Sequence, residues 1–453
     1  METNIIYGIL EIKEKEYPFF LDEHVVRIVD SSAIYITDFK DIEHLDTVYG
    51  VTSDGRSILF IDCSFFKDFF GVLGNTFTIK SYMLSYGNSS STNFKCTRKI
   101  VFHSDAINMF YSPLNARKFI GKDDKRIEEK WREIKILPYS DTLKEFSYNG
   151  NTYAFGIGGS VNLKTGTEKI GELRSCLEIN LADPADYTDV VRHTQNVFDF
   201  LRFINYSSNI KLDDIDLYRI KDDGKPVQYA TYHIFQDATE YENNPRDSIT
   251  ISDFDFIKIG KLYGCVVSLR ESDNKLHLYY PDNKHDRRFI DPITWLSKAL
   301  VFEGLFVSCY PNYKSSTNQN FAAMKSAVIG KAKEVQGQNK HQREYITDII
   351  NYINRYNGNL EEKFNFVLKK YRTVLDPIIV SNDNRYKIAQ DNNYGKIYMY
   401  YRNPVAHGDV HPLDKPQLAV YRLLEAMVYL LLIKDVGFTE EELKTIVNRL
   451  FNK

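Results

Sequence analysis

Asp291-Pro292-Ile293-Thr294-Trp295-Leu296-Ser297-Lys298-Ala299-Leu300-Val301-Phe302-Glu303-Gly304-Leu305-Phe306-Val307 is where the apolar period of the chain changes from two residues to about 3.6. Trp295, Ala299, Phe302 and Phe306 make one helical stripe, and Leu296, Leu300 and Val307 make a second, with Thr294 placed to cap the start after Pro292. A helix that is apolar on more than one side is expected to be well buried. Further on, residues 321–356 read as largely helical and 360–371 as amphipathic. Residues 415–434 form a strong helix opened by Asp414 and Pro416, with Leu418, Tyr421, Leu424, Val428 and Leu431 on one face. Residues 291–453 therefore read as an all-α bundle.

Upstream the signals are those of strands. Residues 5–12, 25–29, 34–37, 57–61 and 94–102 are short, β-branched and aromatic, and polar or glycine residues separate them. Asp54-Gly55, between Val51 and Ile58, predicts a hairpin with a tight two-residue turn. A helix is expected after Asp183-Pro184, carrying Val190, Val191, Thr194, Val197, Phe198 and Leu201, and strand-like runs follow at 214–220, 227–235 and 262–269. Residues 221–226 and 282–286 read as polar turns. The Gly156-Ile157-Gly158-Gly159-Ser160 run lacks the Lys-Ser/Thr ending of a phosphate loop and reads as a β-turn or bulge. The expected class is α+β with three parts: a β-rich domain over 1–165, a mixed α/β region over 166–290 and the helical bundle over 291–453.

Composition bounds the function without naming it. The chain has 453 residues, 43% apolar and 26% charged, the profile of an ordinary globular protein. Its longest uninterrupted apolar run, residues 426–433, falls far short of the ~20 residues of a spanning helix. The first residues show no basic n-region or cleavage site, so a cytoplasmic address is expected. Cys63, Cys96, Cys176, Cys265 and Cys309 lie far apart with no C-x-x-C pair, which suggests reduced thiols and neither disulfides nor zinc. Residues 291–453 carry 22 Lys+Arg against 17 Asp+Glu, and the rest 36 against 44. That excess suits a solvated surface as readily as an RNA-facing one. The abundant Tyr and Phe, 32 and 29, suit half-buried sheet surfaces before they suggest base stacking.

The residues that carry chemistry are Tyr401-Arg402-Asn403-Pro404-Val405-Ala406-His407-Gly408-Asp409. On a straight α-helix Arg402 and His407 would leave the axis about 140° apart. Pro404 is expected to break the helix between them, with Asn403 capping the new turn, so that both side chains converge on one point. A guanidinium forks onto two phosphate oxygens, and an imidazole, which titrates near neutrality, can take a proton from a ribose 2′-OH or give one to the departing 5′-oxygen. The nucleophile is then already in the substrate, and no His/Cys/Asp/Glu cluster suggests a metal or cofactor. Among ten histidines, roughly one accidental Arg-x4–6-His match is expected. Arg98 and His103 are that decoy, since strand alternation puts them on opposite faces. Glu303, on the otherwise apolar Leu296/Leu300/Val307 stripe, either pairs with a base such as Arg402 or reaches solvent at an edge. His411 is a candidate loop contact, and His341 reads as exposed.

The Arg402-Asn403-Pro404-Val405-Ala406-His407-Gly408 segment resembles the Arg-polar-x3–5-His signature of HEPN ribonuclease domains, and the bundle from about 291 to 453 resembles the HEPN fold. The wider layout, with the Gly50–Phe60 hairpin ahead of the bundle, is similar to the ApeA group of bacterial anti-phage proteins. The resemblance implies a metal-independent endoribonuclease used in abortive infection, acting on RNA such as tRNA, with Arg402, Asn403 and His407 as signature positions. It also implies a homodimer through the helical domain, an N-terminal region that senses or regulates, and a phage-derived trigger. The alternative is a non-catalytic HEPN bundle serving as a dimerisation or nucleotide-binding adaptor. A plain scaffold carrying an accidental match is a third reading.

Overall fold

Around Asp54-Gly55 the chain does reverse, with β4 (His44–Thr52) and β5 (Ser57–Lys67) antiparallel and Val51 opposite Ser57. The turn is wider than a two-residue Asp-Gly turn. The Thr52 N–H donates to the Arg56 carbonyl at 2.8 Å, the Gly55 N–H donates to the Thr52 carbonyl at 2.8 Å, and Gly55 takes a positive φ of 81°. Asp54 stays at negative φ; its carboxylate accepts from Thr52 Oγ1 and pairs with the Arg56 guanidinium, whose Nε lies 2.8 Å away.

This computed structural model describes residues 5–29, 43–67, 73–86, 94–120, 133–160, 172–236, 248–271, 280–281, 290–313, 318–335, 345–347, 350, 360–387, 393–408 and 411–452. The strand expected at 34–37, the turn at 282–286, His341, Asp409 and parts of the helical stretch 321–356 lie outside them. The chain divides into two compact units, Met1–Ser272 and Asp273–Lys453.

In the first unit β1 (Ile6–Ile12), β2 (Lys15–Asp22), β3 (Val25–Ile28), β4, β5 and β6 (Leu73–Thr78) run antiparallel, and the β5–β6 pairing closes them into a six-stranded barrel. Its interior is filled by Leu10, Phe19, Val26, Phe60, Cys63 and Phe77, all essentially inaccessible. The alternation in the strands puts these residues on one side, as period two requires. The sheet continues through β7 (Ser81–Ser85), β15 (Pro226–Ile234), β14 (Ile215–Ile220), β8 (Thr97–His103), β13 (Glu172–Ala185), β12 (Asn151–Ser160) and β11 (Lys144–Tyr148), while β9 (Arg117–Ile120) and β10 (Glu133–Ile136) pair separately. The boundary expected at residue 165 falls between β12 and β13, which pair from Thr152↔Asn180 to Ser160↔Glu172, so the first two stretches share one sheet. Helices α1 (Asp105–Phe110), α3 (Tyr187–Asn205) and α4 (Ile259–Glu271) pack with this sheet and with each other, and α2 (Tyr139–Thr142) sits against β12.

Three local expectations need correction here. Asp183-Pro184 belongs to β13, and the helix starts later, with Asp186 accepting from the Thr188 and Asp189 N–H groups at 2.9 and 3.1 Å. Residues 262–269 are helix, not strand: Leu262, Tyr263, Val266 and Val267 are buried at helical spacing in α4. The Gly156–Ser160 run is regular strand in β12 rather than a turn or bulge. Gly156 is needed for room, since a Cβ there would lie 2.5 Å from the Tyr139 ring, whereas one on Gly158 would meet nothing. Gly156→Ala is expected to cost about 1–3 kcal/mol of stability through overpacking, and Gly158→Ala far less, measured by thermal unfolding of the two variants. Burial pushes the Cys63 thiol up to about 12 and Cys176 up to about 11, which suits inert packed cysteines.

The second unit is helical, with α5 (Pro292–Cys309), α6 (Asn318–Val335), α7 (Leu360–Lys370), α8 (Arg372–Tyr386), α9 (Tyr394–Ala406), α10 (Lys415–Leu432) and α11 (Glu440–Phe451) among the described residues. Asp291, not Thr294, caps α5: its carboxylate accepts the Thr294 N–H at 2.7 Å, with Pro292 in the first turn. Helix α10 is the central element, opened by an Asp414/Gln417 capping box, almost wholly buried from Ala419 onward, and packed on α5, α8, α9 and α11. Buried Asn382 on α8 donates to the Ala419 carbonyl at 3.0 Å and accepts from Arg422 at 2.9 Å, and Arg422 also reaches the Phe451 carbonyl, so α8, α10 and α11 share one polar knot. By length and composition two helices, Pro292–Cys309 and Lys415–Val436, are apolar enough to cross a membrane, more than the run of residues 426–433 suggests. The latter is mostly buried, as a core helix is.

Candidate active site

Helix α9 carries the Arg402–His407 segment. It runs without interruption through Asn403 and Pro404, and His407 is its C-cap. The expected break at Pro404 is therefore absent, and Asn403 sits inside the helix instead of capping a new turn. Pro404 removes a single i→i−4 bond in the last turn, where the helix is about to end in any case. The end itself is made by Gly408 at φ 85°, with the His407 and Gly408 N–H groups donating back to Pro404 and Val405 at 3.0 and 3.1 Å.

A continuous helix keeps Arg402 and His407 on different faces. Tyr394, Gly395, Tyr398, Tyr401 and Val405 form the buried side of α9, which packs on α5, α7 and α10. Arg402 stands on its flank, while Asn403 and His407 are exposed on the side away from the core. Within one chain the two signature side chains do not converge.

Arg402 is held by Glu303 of α5, the pairing reading of that residue. Its Nε donates to Oε1 at 2.7 Å and its Nη2 to Oε2 at 3.0 Å, a bidentate contact with each side chain only 20% exposed. Tyr398, one turn before Arg402 on α9, donates its hydroxyl to Glu303 Oε1 at 3.1 Å. Burial, reinforced by the Glu303 charge, raises the Tyr398 hydroxyl well above its ordinary value and keeps it a donor. Lys363 of α7 is the other cation near Glu303: burial lowers its ammonium and the Glu303 carboxylate opposes that shift. Trp295, Phe302, Phe364, Tyr398 and Tyr401 wall this polar cluster, with Tyr398 stacked on Phe364 at 5.0 Å and Trp295 edge-on to Tyr401 at 4.9 Å. The Tyr401 hydroxyl donates at 2.9 Å to the backbone carbonyl of His411.

Tyr398 and Lys363 were not singled out in the sequence. The spacing of Tyr398, four residues before Arg402, offered a signal for the first; for Lys363, on a separate helix, there was none.

The second apolar stripe of α5 is buried less than expected. Leu296 is half-buried and Leu300 and Val307 are 50% and 47% exposed, with Ile293 beside them at 73%, because the Trp295/Ala299/Phe302/Phe306 side is the one that faces the bundle. Among the described residues no group of three or more His, Cys, Asp or Glu side chains is arranged to hold a metal ion. Comparison of the chain with protein-family models, with curated proteins and with solved structures finds no match.

Proposed function

We propose that this chain is a HEPN-type, metal-independent endoribonuclease of the ApeA-like kind, used against phage. The observation that carries the reading is the fixed guanidinium: Arg402 is gripped on its Nε side by Glu303, and Glu303 by Tyr398, at the end of a helix that presents Asn403 and His407 to solvent. A guanidinium is planar and always charged, and held in one orientation it suits the charge that builds on a phosphate.

On this reading His407 takes the proton of the ribose 2′-OH. The 2′-oxygen then attacks the phosphorus, the bond to the 5′-oxygen breaks, and a proton returns to that oxygen. The products are a 2′,3′-cyclic phosphate and a 5′-hydroxyl, and Arg402 offsets the charge that builds on the phosphate. One chain has a single His407, whereas the step uses a base and an acid on opposite sides of the phosphorus. We therefore place the site across a two-fold axis between two copies of the helical unit. The exposed Ile293, Leu300 and Val307 line on α5 is the kind of surface a second copy covers. Leu300→Glu is expected to yield a monomer with cleavage lost, measured by sedimentation velocity alongside RNA digestion; a dimer that cleaves normally would remove α5 from the interface.

The reading is tested by incubating the purified protein with total bacterial RNA in EDTA and sequencing the fragment ends, with and without extract of phage-infected cells. Cuts bearing cyclic phosphate ends support it, and intact RNA under both conditions overturns it. On the same reading the Met1–Ser272 unit is the sensor or regulator, and the RNA cut is tRNA.

A further inference from the structure

Helix α9 is polarised. Opposite its buried Tyr394, Tyr398, Tyr401 and Val405 face, Lys396, Tyr400, Asn403 and His407 recur at intervals of four, three and four residues, which places them on one line along the helix. All four are exposed, and Tyr400 is 63% exposed. The line covers eleven residue steps, about 16 Å at 1.5 Å each. Along it stand an ammonium, a phenol ring, an amide and an imidazole.

Tyr400 has no role in the core that would account for it. Its neighbour Tyr398 fills the interface between α9, α5 and α7, and Tyr401 packs on Trp295, but the Tyr400 ring faces outward. Lys396 Nζ lies 5.7 Å from the ring centroid, one turn away. That contact orients the ring and sets a positive charge beside it, and it covers only part of a ring this exposed. An exposed aromatic flanked by a cation is the arrangement that receives an unpaired base on its face and the adjoining phosphate on its charge. A paired base in an A-form helix is stacked within the duplex and not available to such a ring.

We propose that Tyr400 is a base-stacking platform for single-stranded RNA, and that the line from Lys396 through Tyr400 and Asn403 to His407 is the track along which the strand reaches the reacting histidine. This rests on the nuclease reading and adds to it the residue that selects unpaired substrate. Because every base has a π-face, Tyr400 selects strandedness over base identity; Asn403, one turn closer to His407, is the group able to hydrogen-bond a base edge. Lys396 contributes a phosphate contact, which makes the binding salt-dependent.

The test uses the full chain with His407→Ala, so that RNA is bound but not cut, and follows the anisotropy of a fluorescent unstructured 12-nucleotide RNA and of the same sequence in a duplex. Tyr400→Ala in this background is expected to weaken single-strand binding about 5- to 150-fold, the equivalent of ~1–3 kcal/mol for one stacked base, and Tyr400→Phe to restore it to within about twofold. Lys396→Ala is expected to flatten the salt slope by about 0.7. Because the side chain is exposed, Tyr400→Ala should unfold at the parent temperature. Parent binding that Tyr400→Ala leaves unchanged, or a duplex bound as tightly as the single strand, would overturn the platform while leaving the nuclease reading standing. A Tyr400→Ala chain that binds RNA normally but changes its association state would overturn it in favour of a contact between copies. Absence of RNA binding by the parent and of cleavage by the wild-type chain would overturn both.

Discussion

His407→Ala is expected to lower RNA cleavage by about 10²–10⁴-fold, the usual contribution of a positioned general acid or base, with no loss of folding. The separation between the two effects comes from the structure. His407 is exposed at the C-cap of α9, and the cap is made by backbone groups, the His407 and Gly408 N–H donating to Pro404 and Val405, which alanine retains. Gly408 supplies the left-handed turn at φ 85° whatever precedes it. The measurement is the initial rate on total RNA in EDTA, with sedimentation and thermal unfolding as controls. Cleavage retained by a well-folded His407→Ala chain would remove the mechanism. On the two-copy reading, mixed dimers of one intact and one mutant copy should also be slow, because that reading assigns the proton taken from the 2′-OH and the proton given to the 5′-oxygen to different copies.

Glu303→Ala is expected to damage stability and activity together, which distinguishes a positioning residue from a reacting one. Removing one partner of a fully buried ion pair leaves an uncompensated charge and costs about 3–5 kcal/mol; here each side chain is 20% exposed, so the loss falls below that range. Cleavage should drop as well, because Arg402 loses both hydrogen bonds that fix its plane. Glu303→Gln retains one acceptor and the packing against Tyr398, and should recover most of the stability but little of the rate. Arg402→Lys should behave as a loss of function, since an ammonium cannot make the fork to Glu303 and to a phosphate at once. A double-mutant cycle between Glu303 and Arg402, read by chemical unfolding and by kcat and KM separately, checks this. Additive effects would show that the pair does not act as a unit.

Periodicity and capping chemistry made most of the secondary structure legible. The Asp414 cap and Pro416 start of α10, the strands on either side of Asp54-Gly55 and the discarded Arg98/His103 pair all follow from short-range rules, and short-range rules fail where two of them compete. At Asp183-Pro184 a good helix start lost to a strand that continues to Ala185, because β13 gains pairing with β8 through Thr97 opposite Ala185. At Leu262–Leu269 a β-branched run lost to helical burial against α3 and β11. At Pro404 the rule that proline breaks a helix lost to a helix ending two residues later.

The candidate site divides the same way. Arg402, Asn403 and His407 stand close together in the chain, and their residue types suit a chemistry of phosphate and proton. Glu303 stood out because a carboxylate on an apolar stripe needs a reason. What meets it is a matter of packing: Arg402 is ninety-nine residues away, and only the way α5 and α9 pack decides that its guanidinium grips that carboxylate, with Lys363 of α7 within the reach of its charge. The sequence by itself determined the α+β division and the helical C-terminal unit, because composition, period and caps act over a few neighbours. Tertiary structure alone decided that α9 runs straight through Pro404, that Arg402 is clamped on one flank while His407 faces outward, and that Leu300 and Val307 of α5 stay exposed, because those outcomes depend on which helix faces are covered by partners distant in the chain.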